Sequence, residues 1–483
     1  MKALYHKKSL TDKLKETFSE IFTNETIPTK KHLTDLMMSV IALNGFQSVK
    51  YNYEHFIQDV SDFKLKSYYY TLNESVVDIN DWMSAMVHTA VSLIPDHLKE
   101  QPVILSADDT ITEKSGEHFE YCSVLFDHAA HHGSSYLNGH CFVSLMISVP
   151  VMENDKIRYL SVPVGYRMWT KEETKLKMAA DLVRLAMKAI GTERNVVLCC
   201  DSWYPKAEIT LLPEEFENLD IICNVRSDTA LYELPPERTG KKGRPRVRGE
   251  RLSLRDFALQ EVRETGMHAG TRTVMTNLFR NHPVTAIVTE SKSGSRRLFL
   301  CTASSESLHF DTNCSGIGKA VHYAQTDISF LPLTLYTLRW HIETAYYEQK
   351  KFWSLGNYIL RSRDGIECLL NLLTILYFLM TLLPFLDSYF SFLTDVSPQQ
   401  ARFLLSYQIH QDLFFDAFVQ KLKHIKNTFS HHAVIFSYHN FFSTFTILDK
   451  FSLRISSIRP QRYTIPAGYR NGHFSTNFTD RFI

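Results

Sequence analysis

The chain has 483 residues, enough for two to four domains, and its 44% apolar and 22% charged residues describe a globular protein with ample core. A net charge of +1 excludes a globally polycationic binder, so any nucleic-acid surface has to come from local clustering. Eight cysteines without a CxxC pair, two of them adjacent at Cys199 and Cys200, argue against a disulfide framework and read as core thiols of a reducing compartment.

Residues 1–98 read as helical, with helical spacing in Leu33, Leu36, Met37, Val40 and Ile41 and with Asn80 as a cap for DWMSAMVHTAVSLI. The basic start, MKALYHKKSLTDKLKETF, has no continuous apolar stretch, which argues against export. From Pro102 the pattern changes. PVILSADDT reads as a short buried strand ending in Asp108 and Asp109, and CFVSLMISVPVM and KIRYLSVPVGYRMW as two further strands separated by the turn ENDK. KEETKLKMAADLVRLAMKAIG is an amphipathic helix ending at Gly191. RNVVLCCDSWYP is another buried strand with Asp201 at its carboxyl end, and DIICNVRSD is a fifth. The histidines at 128, 131, 132 and 140 lie in DHAAHHGSSYLNGH without zinc-finger spacing and read as part of a polar loop between strands.

Residues 228–331 interrupt this alternation. A basic, Gly/Pro-rich stretch is followed by TRTVMTNLF, PVTAIVTE and RRLFLCTAS, the last two joined by the turn-like SKSGS, and the whole reads as an inserted β-rich subdomain. Residues 238–255 hold eight Lys/Arg and one acid. Gly243-Arg244-Pro245-Arg246 resembles an AT-hook, which makes Arg244, Arg246 and Arg248 candidates for phosphate or minor-groove contact.

The segment LYTLRWHIETAYYEQKK (residues 335–351) spaces Tyr336, Arg339, Glu343, Tyr347 and Lys350 by three, four, four and three. On one continuous α-helix they fall inside a sector of roughly 80°. A carboxylate beside an arginine, a lysine and two phenols suits a phosphate and a divalent cation. Leu338, Ile342, Ala345 and Phe352 form the opposite, core-seating face. Residues 369–386 are almost wholly apolar, interrupted by Asn371, Thr374, Thr381 and Pro384, and read as a buried core helix, with no membrane contact expected. Beyond Phe390 the pattern is helical and aromatic-rich, ending in a tail to which no regular structure is assigned.

Three acids thus sit where chemistry can use them: Asp108 or Asp109, Asp201 and Glu343. Parallel strands bring their carboxyl ends together, which is where open α/β sheets place ligands. Carboxylate oxygens suit Mg²⁺ or Mn²⁺ and leave positions open for water and phosphate. Without a cation, three clustered carboxylates repel and at least one pKa rises.

Tyr336-x2-Arg339-x3-Glu343-x6-Lys350 resembles, position for position, the Y-R-E-K motif of bacterial insertion-sequence transposases with an RNase H-like DDE core. ADDT resembles that family's D-x-T/S motif, with Thr110 two places after Asp108, and VVLCCDSWY resembles its second acidic strand. Strand alternation alone leaves Asp108 and Asp109 open; the resemblance favours Asp108. It covers about residues 100–385 and, through the motif positions, implies Asp108, Asp201 and Glu343 as ligands of two Mg²⁺ or Mn²⁺ ions. It implies Tyr336 and Arg339 on the DNA backbone at the cleaved end and Lys350 on phosphate. Trp203 and Tyr204, just after the second acid, become candidates for stacking on an unpaired base.

The resemblance implies an α/β fold with an RNase H-like core, and a protein that cuts and joins the ends of an insertion sequence. The expected layout is a helical DNA-binding region at 1–98, the core at 99–227 and 332–390, the β-rich insertion at 228–331 and a helical region with tail at 391–483. Expected partners are double-stranded DNA, as terminal inverted repeats and target, and a second copy of the chain in a homodimer, in a bacterial cytoplasm at the nucleoid. A metal-dependent nuclease, or a DNA-binding relative with a decayed centre, is the alternative.

Overall fold

The computed structural model describes residues 9–431, apart from 76, 117, 128–134, 238–245, 281, 304–307, 312–313 and 316. Its strands in chain order are β1 (Val103–Glu113), β2 (Ser123–Phe126), β3 (Tyr136–Glu153), β4 (Lys156–Met168), β5 (Val196–Cys200), β6 (Leu219–Val225), β7 (Leu231–Tyr232), β8 (Arg251–Leu252), β9 (Gln260–Val262), β10 (Met267–Met275), β11 (Pro283–Glu290), β12 (Arg296–Cys301) and β13 (Cys314–Ser315). All join one sheet, in the order β13-β4-β3-β1-β5-β6-β12-β11-β10-β7-β8, with β2 on β3 and β9 on β10. Its centre is β4-β3-β1-β5-β6, in which β4, β3 and β1 run antiparallel and β1, β5 and β6 run parallel. This is the mixed α/β arrangement of an RNase H-like core.

Local chemistry sets these elements. β5 reads VVLCC and is buried throughout, as a central parallel strand must be. The helix α1 (Lys175–Ile190) starts at Thr174, whose hydroxyl accepts from the Lys177 amide, and stops at Gly191, where φ is 82°. The N-terminal helix Ile79–Ser92 is capped by Asp78, not by Asn80; the Asp78 carboxylate accepts from the Asn80 amide. β11 and β12 form the expected hairpin around SKSGS, with φ of 78° at Gly294. The strands of the insertion continue the core sheet, because β12 pairs antiparallel with β6 (Leu298 opposite Val225).

The long helix α2 (Arg363–Leu386) explains the polar interruptions in its apolar sequence. Among the described residues β13 pairs with Ile157 and Arg158 alone, and β4 has no strand on its outer side from Ser161 to Met168. The helix covers that edge. Asn371 Oδ1 accepts from the Tyr166 amide at 2.9 Å, its Nδ2 donates to the Tyr166 carbonyl at 3.0 Å, and Glu367 Oε1 accepts from the Met168 amide at 2.6 Å. Among the described residues α2 alone is long and apolar enough to cross a membrane, and 78% of its apolar window is buried in the protein. All eight cysteines are free, six of them buried.

Candidate functional site

β1 is longer than its sequence suggests. Its parallel pairing with β5 ends at Ser106 opposite Cys199, but its antiparallel pairing with β3 runs on to Glu113 opposite Gly139. Asp108 and Asp109 therefore lie inside a strand, just past the point where β5 stops and Asp201 begins the loop. Strand alternation sends their side chains to opposite faces. Asp108 shares its face with Ile104, which packs with Val197, Cys199, Leu335 and Leu338 in one core cluster; Leu105 and Val183 belong to the other.

On the Asp108 face the late segment is not one continuous helix. Leu331–Tyr336 is α-helical, Thr337–Trp340 is a 3₁₀ turn, and α3 (His341–Phe352) resumes the α-helix. The tighter turn eclipses residues three apart, so Tyr336 stays beside Arg339, its ring 6.0 Å from the guanidinium carbon, yet it is only 7% exposed and packs edge-on against Phe299 at 5.0 Å. Arg339, Glu343, Tyr347 and Lys350 keep their outward side, and Leu338, Ile342 and Ala345 are buried as their spacing requires.

Arg339 is the hub. Its Nη1 lies 3.0 Å from Asp108 Oδ2 and its Nη2 3.6 Å from Glu343 Oε1. Asp108 Oδ1 accepts from the Asp109 amide at 2.8 Å. Burial holds the Asp108 carboxyl well above the ordinary carboxylate range; Arg339 opposes this, while Glu343 and Asp201 add to it. Asp201 Oδ1 accepts from the Trp203 amide at 2.9 Å. Trp203 is 46% exposed and meets Tyr204 edge-on at 5.1 Å. Lys350 donates to the Ile111 carbonyl of β1 at 2.8 Å, and burial holds its ammonium below the usual lysine value.

Asp109 belongs to a different cluster. Its Oδ2 pairs with Lys175 Nζ at 2.8 Å and accepts from Cys141 Sγ at 3.2 Å, and its Oδ1 accepts from Tyr204 at 3.3 Å. Tyr204, expected beside Trp203 as a stacking aromatic, is instead buried against Asp109. Lys175 was not singled out from the sequence at all: the local pattern carries no signal for it, because α1 and β1 meet only in the folded sheet. Of the basic insertion, Arg246 is exposed, while Arg248 donates to Asn277 Oδ1 at 2.7 Å and stacks over the Tyr232 ring at 3.9 Å. Arg244 lies outside the described residues, as do the histidines at 128, 131 and 132. His140 is a buried member of β3, hydrogen-bonded to Tyr358 and to the Glu120 carbonyl.

Among the described residues no three His, Cys, Asp or Glu side chains are gathered closely enough to hold a metal ion. The donor set nevertheless fits one. It is all carboxylate oxygen, with three acids around one guanidinium; burial is the main cause of the raised Asp108 carboxyl, and the charges of Glu343 and Asp201 add to it.

His341, at the start of α3, accepts or donates at Nδ1 with Ser161 Oγ 2.7 Å away. Burial, with help from Arg158, lowers its pKa from 6.5 to about 4. The unfolded chain then takes up a proton that the folded chain refuses, so stability falls as pH drops from 6.5 towards 4 and is unaffected above that window. Thermal melts across this range should give a shallower acid loss for His341→Gln than for the parent; equal slopes would mean that another group sets the acid limb.

The family model for DDE superfamily endonucleases matches residues 33–278, a span that contains Asp108 and Asp201 and ends before Glu343. No curated protein matches the chain.

Proposed function

The chain belongs to the DDE superfamily endonuclease family, so DNA cleavage of the transposase type is its class of activity, and from that premise we propose that it is a cut-and-paste transposase of an insertion sequence. The observation that carries this reading is the meeting of Asp108, Arg339 and Glu343, from positions 231 and more residues apart, beside Asp201 at the carboxyl end of the neighbouring strand.

Asp108, Asp201 and Glu343 are the residues that would hold two Mg²⁺ or Mn²⁺ ions, which when bound polarise a phosphodiester and lower the pKa of water. Asp109 is unsuited to that role because Lys175, Cys141 and Tyr204 already engage its carboxylate. Arg339 presents a fork to a phosphate, and Lys350 brings a point charge about two turns beyond Glu343 on α3. Water attacks phosphorus and the bond to the 3′ oxygen breaks, leaving a 5′-phosphate and a free 3′-hydroxyl; that hydroxyl then attacks a target phosphodiester, whose own 3′ oxygen leaves, with no covalent protein intermediate. A homodimer holding two terminal inverted repeats would pair the ends, with residues 1–98 and the insertion as DNA-contacting regions.

Incubating the protein with DNA carrying the repeats that flank its coding sequence, with and without Mg²⁺, tests this. Metal-dependent cutting at the repeat ends and joined products are expected. Cutting without joining would favour the narrower reading that the family description names, an endonuclease. No cutting under any divalent metal would end both.

Arg246→Ala should lower the slope of log affinity against log salt by about 0.9, the worth of one phosphate contact. Arg248→Ala should change the slope less, since Asn277 and Tyr232 already hold that guanidinium. Equal slopes for Arg246→Ala and the parent would make the segment a solvated loop.

A further inference from the structure

The proposed metal-binding carboxylates already have a cation between them, and it belongs to the chain. Arg339 is 12% exposed at its side chain, with Asp108 (13%) and Glu343 (38%) on its two nitrogens. The Tyr336 ring lies behind it, 6.0 Å from the guanidinium carbon. The 3₁₀ turn Thr337–Trp340 sets this position. A guanidinium is a permanent charge that cannot neutralise itself by losing a proton. It therefore leaves these carboxylates only when another group takes its hydrogen bonds. A DNA phosphate is such a group, because it accepts the same bidentate fork.

We propose that Arg339 is an internal counter-ion that competes with divalent metal for Asp108 and Glu343, and that DNA phosphate relieves the competition by drawing the guanidinium away. Metal and DNA then bind with positive coupling, and the free protein is kept poor in metal. By linkage the coupling is reciprocal: metal raises DNA affinity by the same factor that DNA raises metal affinity. Arg339 is thus a positioning residue as well as a phosphate contact. This rests on the metal-site reading given above.

The test is Mn²⁺ binding, read by electron paramagnetic resonance of the free ion, with and without a short mixed-sequence DNA duplex. The parent should bind Mn²⁺ weakly alone and more tightly with the duplex. Arg339→Gln should bind Mn²⁺ without DNA more tightly than the parent by about a hundredfold or more, since removing a unit charge about 4 Å away at an effective dielectric near 20 corresponds to roughly a thousandfold even for a singly charged ion. The duplex should then add little. An Arg339→Gln protein that binds Mn²⁺ no better than the parent overturns the proposal.

Arg339→Gln leaves three carboxylates without their counter-ion, and should it fail to fold without metal, Arg339→Lys replaces it. A lysine keeps the charge but not the two-pronged reach, so an affinity between parent and Gln values is expected; the parent's own affinity, and the parent's own response to the duplex, would overturn the idea. Asp201→Ala separates the two levels. If it binds Mn²⁺ as the parent does, the metal-site reading itself is wrong. If it loses Mn²⁺ while Arg339→Gln gains none, only the counter-ion role is lost.

Discussion

Asp201→Ala should lose metal-dependent DNA cleavage by roughly a thousandfold or more while its melting temperature stays level or rises. The loss follows from several kcal/mol of charge stabilisation per metal ligand, at about 1.4 kcal/mol for each tenfold in rate. The unchanged melting follows from what Asp201 does in the folded chain: one of its oxygens accepts a bond from the Trp203 amide, and its charge adds to the strain on Asp108. Asp109→Ala should do the opposite. Deleting it strands Lys175 and unties Cys141 and Tyr204, at a cost of about 1.5–3 kcal/mol, with cleavage per folded molecule preserved. Cleavage assays beside melts decide the pair. A catalytically dead but fully stable Asp109→Ala protein would move the first acid by one position and with it the face of the sheet on which the chemistry is drawn.

The second large effect concerns α3. Ile342 is 1% exposed, and Ile342→Ala should destabilise the fold by about 2–5 kcal/mol, with activity falling because the protein unfolds. Lys350→Ala should leave the melt within a degree or two of the parent and cut cleavage, since among the described residues its ammonium makes one hydrogen bond to the fold, to the Ile111 carbonyl. Reversal of the two phenotypes would mean that the two faces of α3 have exchanged roles.

The RNase H-like core was legible because its strands are apolar runs bounded by turns and acids, and because α1 carries a full amphipathic period. The buried side of α3 was legible for the same reason: Leu338, Ile342 and Ala345 repeat at helical spacing, and burial follows. Three features were not. The 3₁₀ turn at Thr337–Trp340 has no sequence mark, and Tyr336 reads as surface although it packs on Phe299 of the distant strand β12. The continuation of β1 to Glu113 is hidden by Asp108 and Asp109, a residue type that favours turns, although both lie in the ladder with β3. The choice between Asp108 and Asp109 depends on which face of the sheet each helix covers, and that is fixed by contacts more than 200 residues apart. Periodicity reports on neighbours in sequence; these features are set by tertiary pairing.

The way α2 caps β4 has a practical corollary for anyone dissecting the protein. The span recognised by the family model, residues 33–278, includes β4 but neither α2 nor β13. Expressed as a fragment, it would carry Tyr166 and Met168 amides with no acceptor and an apolar strand flank open to a neighbour's strand. Such an edge templates intermolecular sheet growth, so inclusion bodies are the expected fate of a fragment ending there. Trimming should stop downstream of Leu386. The helix after the proposed active site is, in this sense, what keeps the sheet before it from polymerising.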